Sequence, residues 1–126
     1  MKRTILVPIV ALLVAACNSS SPEKESIGQA AYNYCVATSN YDLDAAEAFC
    51  TEETAKHTLA VGRHLLTLVD SSYIASDTPA TIEIKSVKQL SDTSAYAVYH
   101  KQTPRKDYVD TMQMRKRDGQ WLAHSI

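Results

Sequence analysis

From residue 26 to about residue 69 the apolar positions recur at helical spacing; beyond Pro79 they recur at every second position. Ile27, Ala30, Ala31, Tyr34, Ala37 and Thr38 share one helical stripe, with Ser26 as the cap and Ser39-Asn40 as the end. Tyr41-Asp42-Leu43-Asp44 opens a second helix capped by Asp42 or Asp44, and Asp44-x-x-Glu47 has capping-box form. Its inner side carries Ala45 or Ala46, Phe49 and Cys50. Thr51 caps a third helix, where Glu52 and Glu53 suit the positive first turn. That helix is expected to reach about Val69, with Ala55, Leu59, Gly62, Leu65, Leu66 and Val69 inward, and residues 70–80 read as loop. Four strands follow, at 81–89, 93–101, 107–117 and 120–126, the first with a slip that predicts a bulge. Asp118-Gly119 is a two-residue hairpin turn, since both positions need positive φ. It pairs Arg117 with Gln120 and Met114 with Ala123. One face then carries Met112, Met114, Trp121 and Ala123, with Trp121 as a core anchor. The other carries Gln113, Arg115, Leu122 and His124. Helices first and antiparallel strands after predict an α+β fold, with N-terminal helices packed on a curled antiparallel sheet.

The first residues follow a different rule. Met1-Lys2-Arg3 is basic, and the uncharged run to Ala16 is shorter than the roughly 20 residues of a membrane span. Leu13-Val14-Ala15-Ala16-Cys17 resembles the lipobox of bacterial lipoproteins. The resemblance implies that residues 1–16 are a lipoprotein signal peptide. Cys17 then becomes the lipidated N-terminus, and its acyl chains hold the protein to a lipid bilayer. Asn18 in place of Asp favours the outer membrane, facing the periplasm, over inner-membrane retention. Residues 17–25, rich in serine with Pro22, read as the lipidated cysteine and a flexible tether. The α+β domain is expected over residues 26–126.

Composition adds exclusions. With 126 residues, 45% hydrophobic and 21% charged, the chain is one ordinary domain, neither coiled coil nor disordered tail. A net charge of -1 gives no signal for nucleic acid. The charge is uneven: residues 23–83 hold ten acidic and three basic groups, residues 84–126 four acidic and eight basic. Lys101, Arg105, Lys106, Arg115, Lys116 and Arg117 read as charged edge protection in preference to a site for anionic head groups. With Cys17 lipidated, Cys35 and Cys50 remain in an oxidising compartment and read as a disulfide, worth about 3 kcal/mol for a loop of about 15 residues. Two buried free thiols are the competing reading.

Three segments occur together: Asn40-Tyr41-Asp42-Leu43-Asp44-Ala45-Ala46, Thr51-Glu52-Glu53, and the final Met112-Gln113-Met114-Arg115-Lys116-Arg117-Asp118-Gly119-Gln120-Trp121. Together they resemble the nuclear transport factor 2-like (cystatin-like, lumazine-binding-like) superfamily, in particular its small bacterial lipoproteins of uncharacterised function. The resemblance implies a cone-shaped fold, which in other branches houses isomerases, dehydratases and polyketide cyclases with acid–base residues inside the cone. Asp110 shares strand parity with Met112 and Met114, so it is a cone-lining candidate, with Tyr96, Tyr99, Tyr108 and His100 as companions. Asp110 as base and a tyrosine at the oxyanion would make a small lyase or isomerase. No motif of an enzymatic branch matches residue by residue, so no catalytic residue is assigned. The preferred reading is a non-catalytic binding module in the envelope, for a small ligand or an envelope protein, with a homodimer through the sheet as a further partner. No metal is expected. His57 and His64 stand roughly 10 Å apart along their helix, and His100 and His124 lie on different strands without metal-site spacing. No cofactor is expected, as there is no glycine-rich phosphate loop.

Overall fold

The computed structural model of the protein describes residues 21–126. The expected signal peptide over residues 1–16 and the expected lipidation site, Cys17, lie outside the described residues. Helix α1, Pro22–Ser39, begins inside the stretch expected to be a tether, so the tether expectation is corrected from Ser21 onward. The cause is local. Ser21 accepts a hydrogen bond from the Lys24 N–H at 3.0 Å, Pro22 occupies a position where its missing N–H costs nothing, and Glu23 and Glu25 fill the positive first turn. Ile27, Ala31, Tyr34, Cys35 and Ala37 are its buried apolar side.

Tyr41, at φ 63°, turns the chain into α2, Leu43–Glu47, which Asp42 caps through the Ala45 N–H at 3.1 Å. Thr51 caps α3, Glu52–Thr54, which continues through a π-helical turn, Ala55–Leu59, into α4, Ala60–Leu66. The inward reading of this helix holds at Leu59, which is buried, and fails at Leu65 and Val69, which are 53% and 37% exposed. Arg63 reaches Asp44 at 3.0 Å and Glu47 at 2.7 Å, so α4 lies against α2 by its polar side and turns Val61, Leu65 and Leu68 to solvent. The expected loop over 70–80 contains a helix, α5, Ser71–Ser76, because Asp70 accepts from the Tyr73 N–H at 3.1 Å and starts it.

The strands β1 (Thr81–Gln89), β2 (Ser94–Gln102), β3 (Asp107–Arg117) and β4 (Gln120–Ala123) form one antiparallel sheet in the order β1-β2-β3-β4. The bulge falls between Ile84 and Ser86. Asp118 and Gly119 turn at φ 53° and 77°, and the register is the expected one, Arg117 with Gln120 and Met114 with Ala123. β4 stops at Ala123, short of the expected 126, because the segment after α2 captures it. The Ala123 N–H donates to the Phe49 carbonyl and the Thr51 N–H to the Ala123 carbonyl, both at 2.9 Å. The inner face of the sheet carries Ala95, Ala97, Met114, Trp121 and Ala123 against Ile27, Ala31, Tyr34 and Leu59. Small alanines on β2 let the helix layer approach closely, and Met114 and Trp121 fill the space beside them.

The expected Cys35–Cys50 disulfide is absent: both cysteines are buried free thiols. Cys35 packs with Ile82 and Tyr99, whereas Cys50 belongs to the main core and turns its Sγ to the Glu47 carbonyl at 3.8 Å. Burial pushes the Cys35 thiol up to about 12, which keeps it protonated.

Candidate functional site

The β2–β3 register sets Tyr99 opposite Asp110 and Lys101 opposite Tyr108. All four residues share the inner face with Ala95 and Ala97. Asp110 therefore has the parity read from the sequence, with an exposure that parity does not report. Tyr99 is buried, and burial raises its phenol well above the ordinary range, so it stays protonated. Tyr108 is 40% exposed and Asp110 is exposed, because α1 covers β2 here through Cys35 and Val36 while β3, beyond the end of β4, lies outside the helix layer. The Asp110 carboxylate accepts from the neighbouring Thr111 N–H at 2.7 Å. Lys101 Nζ lies over the Tyr108 ring, 5.8 Å from its centre.

Tyr96 is not part of this group. It stands opposite Gln113 and Lys88 on the outer face, as its odd separation from Tyr99 requires. His100 also lies on the outer face, where its Nε2 meets Asp107 at 2.6 Å. The expected cone lining thus splits into Tyr99, Tyr108 and Asp110 on one side of the sheet and Tyr96 on the other. An acid–base site would need Asp110 in a water-poor pocket with a second polar group converging on it. The structure gives that carboxylate to solvent.

Beside Tyr96 the outer face forms a groove of about 480 Å³, lined by Leu90, Tyr96, Val98, Thr111, Gln113 and Arg115. A second hollow of about 350 Å³ shares Thr111, Gln113 and Arg115 and continues to His124 and Ile126. The two form one surface, with Leu90, Tyr96 and Val98 at one end and Arg115 as the cation they share. His124 is set by a threonine relay on the helix below. Thr51 Oγ1 lies 2.9 Å from His124 Nδ1 and 2.8 Å from Thr54 Oγ1, and Thr54 Oγ1 accepts from the Ser125 N–H at 2.9 Å. Where Thr51 donates to the ring, Nδ1 accepts, an arrangement that a neutral imidazole satisfies. Burial, then the nearby Arg115, lowers the His124 pKa in agreement with that assignment.

Two polar clusters escape a reading by periodicity. Asp77, fully buried at the end of α5, is held by Lys106 Nζ and Tyr41 Oη at 2.6 Å each and by Thr103 Oγ1 at 2.7 Å. Burial alone would raise its carboxyl, but the bonds from Lys106, Tyr41 and Thr103 outweigh that and hold it well below the usual range. Every oxygen is occupied, so the cluster is a clamp between the α1–α2 turn, α5 and the β2–β3 loop. Asp70 as a helix cap was the available signal for placing Asp77. At the other end of the sheet Glu23 accepts from Trp121 Nε1 at 2.6 Å and from Lys116 Nζ at 3.0 Å, beside a groove of about 380 Å³ lined by Gln29, Asn33, Phe49 and Gln120. Among the described residues no group of three or more His, Cys, Asp or Glu could hold a metal ion, and no helix is long and apolar enough to cross a membrane.

No family model and no curated protein matches the sequence. Solved structures do match the fold. One, described as a candidate NTF2-like transpeptidase from Campylobacter jejuni, superposes with a TM-score of 0.57 at 14% identity, over 85% of this chain and 100% of that one. Another, an NTF2-like protein of unknown function from Shewanella oneidensis, superposes with a TM-score of 0.56 at 19% identity, over 79% of this chain and 95% of that one. The chain has the α+β NTF2-like fold, nuclear transport factor 2-like in full.

Proposed function

We propose that this protein is an envelope-anchored lipoprotein whose NTF2-like domain binds a partner without catalysing a reaction. The observation that carries the reading is the position of Asp110. The one carboxylate with inner-face parity on β3 past the helix layer stands in solvent, while the face under the helices is filled by Ala95, Ala97, Met114 and Trp121. The outer groove is the binding surface in this reading. Leu90, Tyr96 and Val98 offer apolar contact and Arg115 a cation, which suits a ligand or protein segment with an apolar body and an anionic group. The lipobox-like Leu13-Val14-Ala15-Ala16-Cys17 supports the anchor. From Cys17 to the cap Ser21 there are four residue steps, which span at most about 14 Å. The domain would therefore stay close to the bilayer.

The transpeptidase description of the Campylobacter structure marks the competing class, and one experiment separates the two. A photo-reactive amino acid is placed at position 96 in cells, and Arg115→Glu is tested in the same background. The binding reading expects a discrete adduct that Arg115→Glu abolishes, and a phenotype indifferent to Asp110→Asn. A phenotype lost in Asp110→Asn and kept in Arg115→Glu would replace it with an enzyme. Mass spectrometry of the N-terminal peptide tests the anchor separately: a lipid-modified Cys17 is expected, and an unmodified one refutes it.

A further inference from the structure

The β3 strand runs for eleven residues and β4 for four, and β4 pairs only with Met114–Arg117. One further bond, from the His124 N–H to the Gln113 carbonyl at 2.8 Å, closes the ladder. The chain then leaves the sheet, with Ser125 bonded to Thr54 and Thr58. In a strand the N–H and C=O of one residue point to the same side, and successive residues alternate. The Gln113 carbonyl faces β4, so the backbone groups of Thr111, Val109 and Asp107 face the same edge. Among the described residues no strand pairs with them. The Thr111 N–H has instead been taken up by the carboxylate of Asp110 at 2.7 Å. Val109 is 59% exposed there, an apolar side chain on an open edge.

We propose that this edge pairs with the same edge of a second copy, antiparallel about Val109, to make one eight-stranded sheet across a two-fold axis. Three features of the segment Asp107–Thr111 favour a second copy over an unrelated strand. Its length fits: Asp107 is the first residue of β3, so the partner's strand begins opposite Thr111 and stops short of Gln113, which His124 already occupies. The partner's preceding loop turns back toward its own β2, away from the junction. Its backbone is self-complementary. Val109 meets its own symmetry mate and Asp107 meets Thr111 twice, so all three outward-facing residues exchange their N–H and C=O bonds. Its side chains are self-complementary too. On the inner face Tyr108 of each copy falls opposite Asp110 of the other, and the phenol donates to the carboxylate freed from Thr111. On the outer face two Val109 side chains meet. The dimer closes an edge that would otherwise invite open-ended association, and it joins two outer grooves on one sheet.

The test is cross-linking in cells with the full-length chain. Residues opposed in a hydrogen-bonded antiparallel pair have Cα atoms about 5.5 Å apart, within the range of a disulfide. In Val109→Cys the monomer band should be lost to a dimer on a non-reducing gel. In Thr111→Cys it should persist, because the two copies of that position are offset by four residues of strand and one strand spacing, roughly 14 Å. In Asp107→Cys/Thr111→Cys it should be lost again. Val109→Lys sets two ammonium groups together and should give a folded monomer with the parent's circular dichroism. A Val109→Cys protein that stays monomeric under oxidation, or a Thr111→Cys protein that cross-links as fully, overturns the pairing.

Discussion

Trp121 Nε1 donates to Glu23 Oε2 across 2.6 Å, joining the last strand to the first turn of the first helix. The indole is 5% exposed and packs with the core around Met114 and Ala123, while Lys116 Nζ stands 3.0 Å from the same carboxylate oxygen and 5.8 Å from the ring centre. A helix that begins where a tether was expected is thereby tied down at its start.

Truncating this ring should unfold the protein more readily than any surface change. Trp121→Ala is expected to cost about 3–5 kcal/mol in chemical denaturation. Trp121→Phe should cost less, since it keeps most of the packing and loses the bond to Glu23. An alanine variant that melts with the parent would show that the ring is not a core anchor.

The Asp77 clamp should be the most sensitive polar site. Lys106→Met leaves a fully buried carboxylate without its cation and is expected to cost about 2–3 kcal/mol. Asp77→Asn/Lys106→Met should recover part of that loss, which a double-mutant cycle reads directly. The native Asp77 carboxyl is held below its unfolded value. Its contribution is therefore complete at neutral pH and is lost as pH falls below the ordinary carboxylate range toward the native value.

His124 titrates earlier. Its native pKa is lowered, first by burial and then by Arg115, with Arg117 adding to that and Glu53 opposing it. The unfolded chain thus binds the proton more readily, and stability declines as pH falls below about 6.5 toward the lower native value. Melting temperatures between pH 7.5 and pH 5 should fall in the parent and fall less in His124→Gln. Equal slopes would remove His124 as the cause.

The thiols offer a direct check on the core. Cys35 and Cys50 should resist alkylation in the native protein and both react in denaturant without reductant. Burial raises both thiols above their ordinary value and excludes the reagent. A denatured protein 2 Da lighter than the reduced chain, with no reactive thiol, would restore the disulfide.

Short-range order determined what the sequence could show by itself. Asp118-Gly119 sets its turn because both residues must take positive φ, and the period-two pattern then places Met112, Met114, Trp121 and Ala123 on one face and Asp110 with them. Parity also separates Tyr96 from Tyr99, since three residues of strand put them on opposite faces, so only Tyr99 of the two expected lining tyrosines on β2 faces inward. Tertiary structure alone decided what covers each face. Periodicity puts Leu59, Leu66 and Val69 on one helical stripe but cannot say that the helix layer ends before Val69. It puts Asp110 on the inner face but cannot say that the helices stop short of it. The same limit separates Cys35 from Cys50. Fifteen residues of sequence distance permit a bridge, while the choice between bridge and burial lies in which side chains pack around each sulfur, Ile82 and Tyr99 for one and the main core for the other. Patterns along a chain record which residues face the same way. Burial depends on contacts between segments far apart in sequence, and those exist only once the chain has folded.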